Sequence, residues 1–200
     1  MRQTHAERNA ATRKALLEAT ARGLAHGGYS TLSIEAVARE AGYSRGAVYH
    51  QFADKEALVI AAVQQAEKSW RREVGVPAAA ESEPVAALVK LARGHAVYCR
   101  RDVARLLITL RVEFFEVDHP VGQVVASILD SGIAFITSLV AAGRANGSIP
   151  TGPPDRMLAL AYYGALEGTA IHLSHEPGIE SFDELLAERA VLGVLGIPAA

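Results

Sequence analysis

The chain lacks most features that mark secreted, β-rich or metal-rich proteins. It contains a single cysteine, Cys99, which excludes an internal disulfide. Aromatic residues make up only 6% of the sequence, and no stretch alternates β-branched and polar residues as a half-buried strand would. The first residues are polar and charged, without the apolar core of a signal peptide. We therefore expect a cytoplasmic protein built of helices.

Long apolar stretches are also scarce, and one of them tests whether the chain enters a membrane. Residues 124–143 are long enough to span a bilayer, but they include Asp130, several hydroxyl residues and two glycines. An aspartate at mid-bilayer costs about 2.5–3.5 kcal/mol on insertion scales, and no aromatic cluster marks an interface. The sequence therefore predicts a helix of a soluble bundle and no membrane partner.

The charge of the chain is distributed unevenly. Up to Phe52 the sequence carries seven basic and four acidic residues, a net charge of +3, so the remainder carries −5 of the total of −2. A basic segment joined to an acidic one is typical of a DNA-binding domain attached to a domain that does not bind DNA.

Residues 32–55 contain two short helical patterns on either side of a glycine turn. Ser33 can cap the first helix, and Gly42 stands where a helix commonly ends in a left-handed residue. Ser44 can cap the second helix, which runs to about His50. Two helices with so short a connection predict a helix-turn-helix.

The second of these helices has an exposed face suited to a major groove. An arginine can bond a guanine edge with two N–H groups, while hydroxyls and a ring nitrogen can reach phosphates. Glycine inside a helix costs about 1 kcal/mol relative to alanine, and close approach of the backbone to DNA explains its presence. The predicted contacts to double-stranded operator DNA are Ser33, Tyr43, Ser44, Arg45, Gly46, Ala47, Tyr49 and His50.

Residues 41–52, Ala-Gly-Tyr-Ser-Arg-Gly-Ala-Val-Tyr-His-Gln-Phe, and the Asp-Lys-Glu-Ala-Leu run at 54–58 resemble the DNA-binding signature of TetR-family repressors. The Arg-Gly-Ala-Val-Tyr run is most similar to the branch that controls multidrug efflux pumps. Two positions depart from the usual pattern, since Leu32 stands where threonine is common and Tyr43 where valine is common. The resemblance implies a homodimer and places Lys55 on the DNA backbone. A phosphate partner would also explain a lysine in the first turn after Asp54, where the helix dipole favours acidic groups.

The predicted fold is all-α, with a helix-turn-helix domain over residues 1–53 and a helical ligand-binding and dimerisation domain over residues 54–200. We predict a loop over residues 77–84. Helical patterns cover residues 12–26, 54 to about 75, 85–99, 102–115, 121–145, 155–173 and 182–195, the last capped by Ser181.

The last two predicted helices carry more apolar surface than one internal face requires. Such leftover surface suggests a partner helix from a second copy, and a dimer would place two recognition helices about 34 Å apart, in successive major grooves. The predicted interface residues are Leu158, Tyr162, Leu166, Thr169, Leu173, Leu185, Leu186, Leu192 and Leu195.

A ligand-binding site would need an apolar wall and a few polar groups. We expect a small apolar or amphipathic inducer that releases a repressor from its operator by tilting the helix that begins at Asp54, with no cofactor. The candidate pocket residues are Trp70, Tyr98, Glu113, Phe114, Asp130, Phe135, Tyr163 and Glu167.

Enzymatic function has weaker support. His172 and His175, with Glu167 or Glu176, could form a metal site, but zinc hydrolases normally use better-defined spacings such as His-Glu-x-x-His. The sequence contains no Gly-x-Ser-x-Gly, phosphate loop or dinucleotide fingerprint, so we predict neither catalytic nor metal-binding residues. Two alternatives stay open: a helical metal-dependent enzyme with a vestigial DNA-binding domain, and a DNA binder that needs no ligand.

Overall fold

A computed structural model describes residues 4–101, 105–116, 118–174 and 176–198. These residues form helices joined by short connections, and no strand occurs among them, which confirms the predicted all-α fold. The helices are α1 His5–Thr31, α2 Ile34–Ala41, α3 Arg45–Gln51, α4 Lys55–Trp70, α5 Val76–Ala79, α6 Pro84–Tyr98, α7 Leu106–Glu113, α8 Pro120–Ala145, α9 Asp155–Leu173 and α10 Glu180–Leu195, with a π-helical turn Arg71–Gly75 between α4 and α5.

Packing divides the described residues into two units. The head unit takes those within 1–67 and 102–126, and the body unit takes those within 68–101 and 127–200. Helix α7 belongs to the head unit because it packs against α1. Helices α4 and α8 each contribute residues to both units. The predicted domain boundary after residue 53 stays a prediction.

Helix α1 is longer than the predicted helix over residues 12–26. Thr4 and Glu7 form a reciprocal capping box, in which the Thr4 hydroxyl accepts from the Glu7 N–H at 3.2 Å and the Glu7 carboxylate accepts from the Thr4 N–H at 2.7 Å. At the other end Gly28, with φ of 74°, kinks the helix without ending it, and helical structure resumes as far as Thr31. The predicted start of this helix is therefore wrong, whereas the regular helix is interrupted at Gly28, two residues after its predicted end.

The segment after the helix-turn-helix agrees with prediction at its start and differs later. Asp54 caps α4, because its Oδ1 accepts from the Ala57 N–H at 2.8 Å. The predicted loop over residues 77–84 is wrong in its first part, since Pro77 lies in the first turn of α5. The backbone stays helical from the π-helical turn through Gly75 into α5, so the helical segment continues past residue 77.

Helices α6, α9 and α10 pack on one another in the body unit. Tyr162 of α9 is fully buried, and its hydroxyl donates to the Leu88 carbonyl of α6 at 2.6 Å. Arg100 donates two hydrogen bonds of 2.6 Å to the buried carboxylate of Asp183 and a further one to the Leu173 carbonyl. One side chain therefore joins the end of α6 to α9 and α10.

The predicted cap of the last helix is wrong. Helix α10 begins at Glu180, its N-cap Ile179 makes no side-chain hydrogen bond, and Ser181 lies within the first turn. Helix α9 has the predicted bounds, and α6 and α8 agree to within one residue. Helix α7 begins at Leu106, while residues 102–104 of the predicted helix lie outside the described residues.

Among the described helices, only α8 is long and apolar enough to cross a membrane, with a mean hydropathy of 1.9 in its most apolar window. Its buried apolar residues recur with helical spacing, although only 22% of that window is buried. These residues are Val121, Val125, Ile133, Ile136 and Val140.

Candidate nucleic-acid interface

Two side-chain caps and one glycine fix the connection between α2 and α3, as predicted. The Ser33 hydroxyl accepts from the Ala36 N–H at 3.1 Å, and the Ser44 hydroxyl accepts from the Ala47 N–H at 3.3 Å. Gly42, with φ of 77° and ψ of 26°, closes α2 in the left-handed region. The helix-turn-helix is therefore specified by local sequence.

Helices α2 and α3 each bury one side in the subunit, and only the opposite side is accessible to a partner. Val37, Ala38, Val48 and Phe52 are buried in the core of the head unit. The predicted DNA-binding residues lie outside that core: Ser33, Tyr43, Ser44, Arg45, Gly46, Tyr49 and His50 are exposed, and Ala47 is half-buried. The structure thus gathers these residues at the exposed side of the motif.

Arg45 is the first residue of α3, and neighbouring side chains hold it in place. Its Nη1 lies 2.8 Å from Oε1 of Glu35 in α2, and its Nη2 donates to the Tyr49 hydroxyl at 3.2 Å. The hydrogen bond to Tyr49 and the charge of Glu35 raise the pKa of Arg45. Glu35 was absent from the predicted site, because the sequence does not show that its carboxylate reaches across the turn.

The structure of the subunit does not require a glycine at position 46. A Cβ at this position would meet only the Ser44 hydroxyl oxygen, at the ordinary contact distance of 3.7 Å. Its φ is not positive, so alanine is also compatible with the backbone. Since glycine lowers helix stability, nothing among the described residues explains its presence in α3.

Lys55 is half-buried at the start of α4. Its Nζ lies 4.3 Å from the centre of the Tyr29 ring, a cation–π contact with α1. Arg13 also contacts residues within the head unit. It donates to the Gln51 carbonyl at 3.2 Å, and its guanidinium lies 4.4 Å from the Phe52 ring centre. These two cations tie α1 to the beginning of α4 and the end of α3.

Glu113 was a candidate for the ligand pocket, but its carboxylate bonds to the backbone of α1. It accepts from the N–H groups of Tyr29 and Ser30 at 2.6 and 2.7 Å. Burial raises the pKa of Glu113, but these hydrogen bonds outweigh burial and leave the pKa below its usual range. The adjacent Phe114 packs edge-to-face on Tyr29, with ring centres 5.4 Å apart. Both residues therefore serve the head unit in this structure.

The other pocket candidates lie in the body unit. The Trp70 indole N–H donates to Nδ1 of the half-buried His95 at 3.1 Å, and Nε2 of His95 lies 3.3 Å from Sγ of Cys99. Burial lowers the pKa of His95 to about 4 and, with the charge of Glu167, raises that of Cys99 to about 12. Tyr98 is buried, and Phe135, Tyr163 and Glu167 are half-buried.

Asp130 does not join this group. Its side chain is 73% exposed, with Arg156 4.0 Å away, so it lies on the surface of α8 and cannot line an enclosed wall. Among the described residues, no group of three or more His, Cys, Asp or Glu side chains could hold a metal ion. His172 is described, whereas His175 of the alternative metal site lies outside the described residues.

The structure corrects most of the predicted dimer interface. Thr169 is half-buried, and only Leu185 and Leu186 are exposed, at 50% and 38%. The remaining candidates fill the core of the subunit itself and are not available to a second copy. These buried residues are Leu158, Tyr162, Leu166, Leu173, Leu192 and Leu195.

The helix-turn-helix also matches a known family. Residues 16–62 match the sequence model described as bacterial regulatory proteins, tetR family. No curated protein matches the chain. The matched segment contains α2, α3 and the start of α4, so it coincides with the geometry described above.

Solved structures share the fold across nearly the whole chain. A TetR-family regulator from Agrobacterium tumefaciens has a TM-score of 0.78 at 18% identity, covering 96% of this chain and 100% of its own. One from Streptomyces coelicolor has a TM-score of 0.77 at 18% identity, with 94% and 95% covered. AibR, solved with isovaleryl coenzyme A and operator DNA, has a TM-score of 0.73 at 16% identity, with 91% and 97% covered. The chain thus has the fold of these regulators, and its residues 16–62 match the sequence model of the tetR family.

Proposed function

We propose that the protein is a homodimeric, ligand-responsive transcriptional regulator that represses by binding an operator in double-stranded DNA through α3. The observation that carries the proposal is the exposed face of α3. There Arg45 lies next to Gly46, a glycine that neither the backbone conformation nor the packing of the subunit requires. We assign it no catalytic role and a cytoplasmic location. The Arg-Gly-Ala-Val-Tyr run supports placing it near the efflux-pump repressors.

Selection of bound fragments from genomic DNA tests this proposal. The purified protein should enrich a palindromic sequence, and Arg45→Ala should relax the preference at the base pair that Arg45 reads while leaving the melting temperature nearly unchanged. A protein that enriches no sequence would contradict the proposal.

Gly46→Ala separates folding from DNA binding at the same site. Alanine should stabilise the free protein by about 0.5–1 kcal/mol, because glycine is unfavourable in a helix. The same substitution should weaken operator binding, because the added methyl group stands where DNA approaches. Thermal unfolding and a gel-shift titration measure the two effects, and unchanged operator affinity would remove the support that Gly46 gives.

We propose that two copies pair through the outer faces of α9 and α10. On α9, a stripe at spacings of three and four runs from Met157 and Leu160 through Gly164 and Gly168 to Ile171, and nothing lies within 4 Å of a Cβ built at either glycine. Small residues in such a stripe let a second helix approach closely, and exposed apolar side chains favour a partner. The exposed apolar residues are Met157, Leu160, Ile171, Phe182, Leu185 and Leu186.

The inducer we propose is a small apolar or amphipathic molecule that binds in the body unit beside Trp70, Tyr98, Phe135, Tyr163 and Glu167. AibR is solved with isovaleryl coenzyme A, and FadR of Bacillus subtilis with stearoyl coenzyme A. Fatty acids and their coenzyme A thioesters are therefore the first probes. One of them should release the protein from its selected operator in a gel-shift titration, and failure of the whole panel would leave DNA binding standing but reject this ligand class.

The route from ligand to DNA that we propose runs through α4. Its first residue, Lys55, contacts Tyr29, and the carboxylate of Glu113 at the end of α7 holds the N–H groups of Tyr29 and Ser30. Two helices are thus attached to one short segment of α1. A tilt of α4 would change the separation of two recognition helices in a dimer, and a coupling of about 1–3 kcal/mol is typical of such linkage.

A further inference from the structure

The side chain of Arg45 is restrained from two sides before any DNA is present. Glu35, in the first turn of α2, lies 2.8 Å from Nη1, and Tyr49, one turn along α3, accepts from Nη2 at 3.2 Å. The guanidinium carbon is 5.4 Å from the centre of the Tyr49 ring. A guanidinium carries more N–H donors than these two contacts use, so others stay available for acceptors on a base edge.

Stability of the fold gives little reason for the contact between Glu35 and Arg45. The two side chains are 55% and 61% exposed, and ion pairs exposed to this extent contribute little to folding. A carboxylate beside the DNA-binding face also repels phosphates, which weakens binding to DNA of any sequence. The helix dipole favours an acidic residue in the first turn of α2, but it does not require the contact with Arg45, and that contact is what suggests a role in binding.

We infer that Glu35 is a positioning residue for sequence recognition: it holds the guanidinium of Arg45 in the orientation that meets a base edge and keeps it from turning onto a phosphate. The inference rests on the proposed function. A long side chain that is already ordered loses less conformational freedom on binding, and only the correct base makes use of the fixed orientation. Glu35 thus weakens binding to all DNA but increases the difference in affinity between the operator and other sequences.

The test compares Glu35→Gln with Glu40→Gln. Both substitutions remove one negative charge from α2, but Glu40 pairs with Arg22 at 2.6 Å and does not contact Arg45. Dissociation constants are measured for the selected operator and for a scrambled duplex of the same length and composition at one salt concentration. The specificity ratio is the dissociation constant for the scrambled duplex divided by that for the operator. Glu35→Gln should lower this ratio by about 3- to 10-fold, the range expected for one ordered side chain, while Glu40→Gln leaves it unchanged.

A double-mutant cycle shows whether the effect passes through Arg45. In the Arg45→Ala background, Glu35→Gln should produce no further change in the ratio. In the free protein, ¹⁵N relaxation of the Arg45 Nε–Hε group should report greater mobility in Glu35→Gln than in the unmodified chain. An unchanged ratio, an equal loss in the Arg45→Ala background, or equal mobility would each overturn the inference.

The two levels of failure can be told apart. An unmodified protein that selects no DNA sequence overturns the proposed function and this inference with it. An unmodified protein that selects an operator, but whose preference is the same in Glu35→Gln and Glu40→Gln, overturns this inference alone.

Discussion

Lys55 is a single side chain with two possible partners, the Tyr29 ring and a DNA phosphate. We predict that Lys55→Ala weakens binding to all DNA sequences alike, since a phosphate contact carries no base information. The slope of log binding constant against log salt concentration should become shallower by about one unit. Titrations of operator and scrambled DNA over a range of salt concentrations measure both effects.

Lys68→Ala is the matched control, because it removes the same charge from the last turn of the same helix, roughly 20 Å from Lys55. It should leave the salt dependence unchanged. If Lys55→Ala altered sequence preference and spared the salt dependence, the residue would contact bases instead of phosphates.

His95 makes the stability of the protein depend on pH. Burial lowers its pKa from 6.5 to about 4, and the neutral ring accepts the Trp70 indole N–H on Nδ1. Because the unfolded chain binds this proton more readily, stability is greatest above pH 6.5 and is lost as the pH falls toward 4. We predict that this group alone lowers the free energy of unfolding by about 2 kcal/mol between pH 7.5 and pH 5.

Chemical denaturation at several pH values tests this contribution against His95→Gln. The glutamine amide oxygen can accept the same indole hydrogen bond but does not titrate. The variant should be less stable at pH 7.5 and should show a flatter dependence on pH in the acid range. Parallel curves for the two proteins would exclude His95 as the titrating group.

At the scale of one element, the kink of α1 depends on Gly28. Its φ of 74° and ψ of −173° suit glycine almost exclusively, and an added Cβ would lie 2.5 Å from the Glu113 carboxylate. We predict that Gly28→Ala lowers the free energy of unfolding by about 1–3 kcal/mol, measured by thermal unfolding. Gly46→Ala is the control, since the same change there is compatible with the backbone. Equal stability of the two variants would contradict this account of the kink.

The elements predicted correctly are those specified by residues close together in sequence. Ser33, Ser44 and Asp54 each cap a helix through an N–H group three residues away, so the sequence alone was sufficient. The capping box of Thr4 was equally local and could have been found. Glu113 bonds to the Tyr29 N–H across 84 positions, and no local pattern carries that information.

At the scale of the whole molecule, we predict that the protein is a dimer held by the outer faces of α9 and α10. Leu185 is half exposed in the single subunit, so Leu185→Glu should leave the fold intact and place a charge in the interface. The variant should behave as a monomer in sedimentation or light scattering at micromolar concentration. It should also bind the operator more weakly, because one recognition helix reads only half of the site.

Val76→Glu provides the control for charge and exposure. Val76 is 58% exposed in the body unit but belongs to neither α9 nor α10. It should remain a dimer. A monomeric unmodified protein, or a dimer unaffected by Leu185→Glu, would place the interface elsewhere or exclude one.

The assembly proposed here uses the two helices that the sequence predicted, α9 and α10, but other faces of them. Both α9 and α10 have apolar residues on more than one side, and helical spacing alone does not say which side enters the subunit core. Tyr162 illustrates the difficulty, since its position is settled by a hydrogen bond to Leu88, 74 positions away. Which face is buried follows only from the packing of α6 against both helices.

The only tryptophan of the chain, Trp70, has its indole hydrogen-bonded to a half-buried histidine in the body unit. Its intrinsic fluorescence therefore reports on the body unit alone, without any attached dye. An inducer that binds beside it should alter the emission directly. Operator DNA, which we propose contacts only the head unit, should alter the emission solely when the two units communicate. One optical signal could then follow regulation in the unmodified protein.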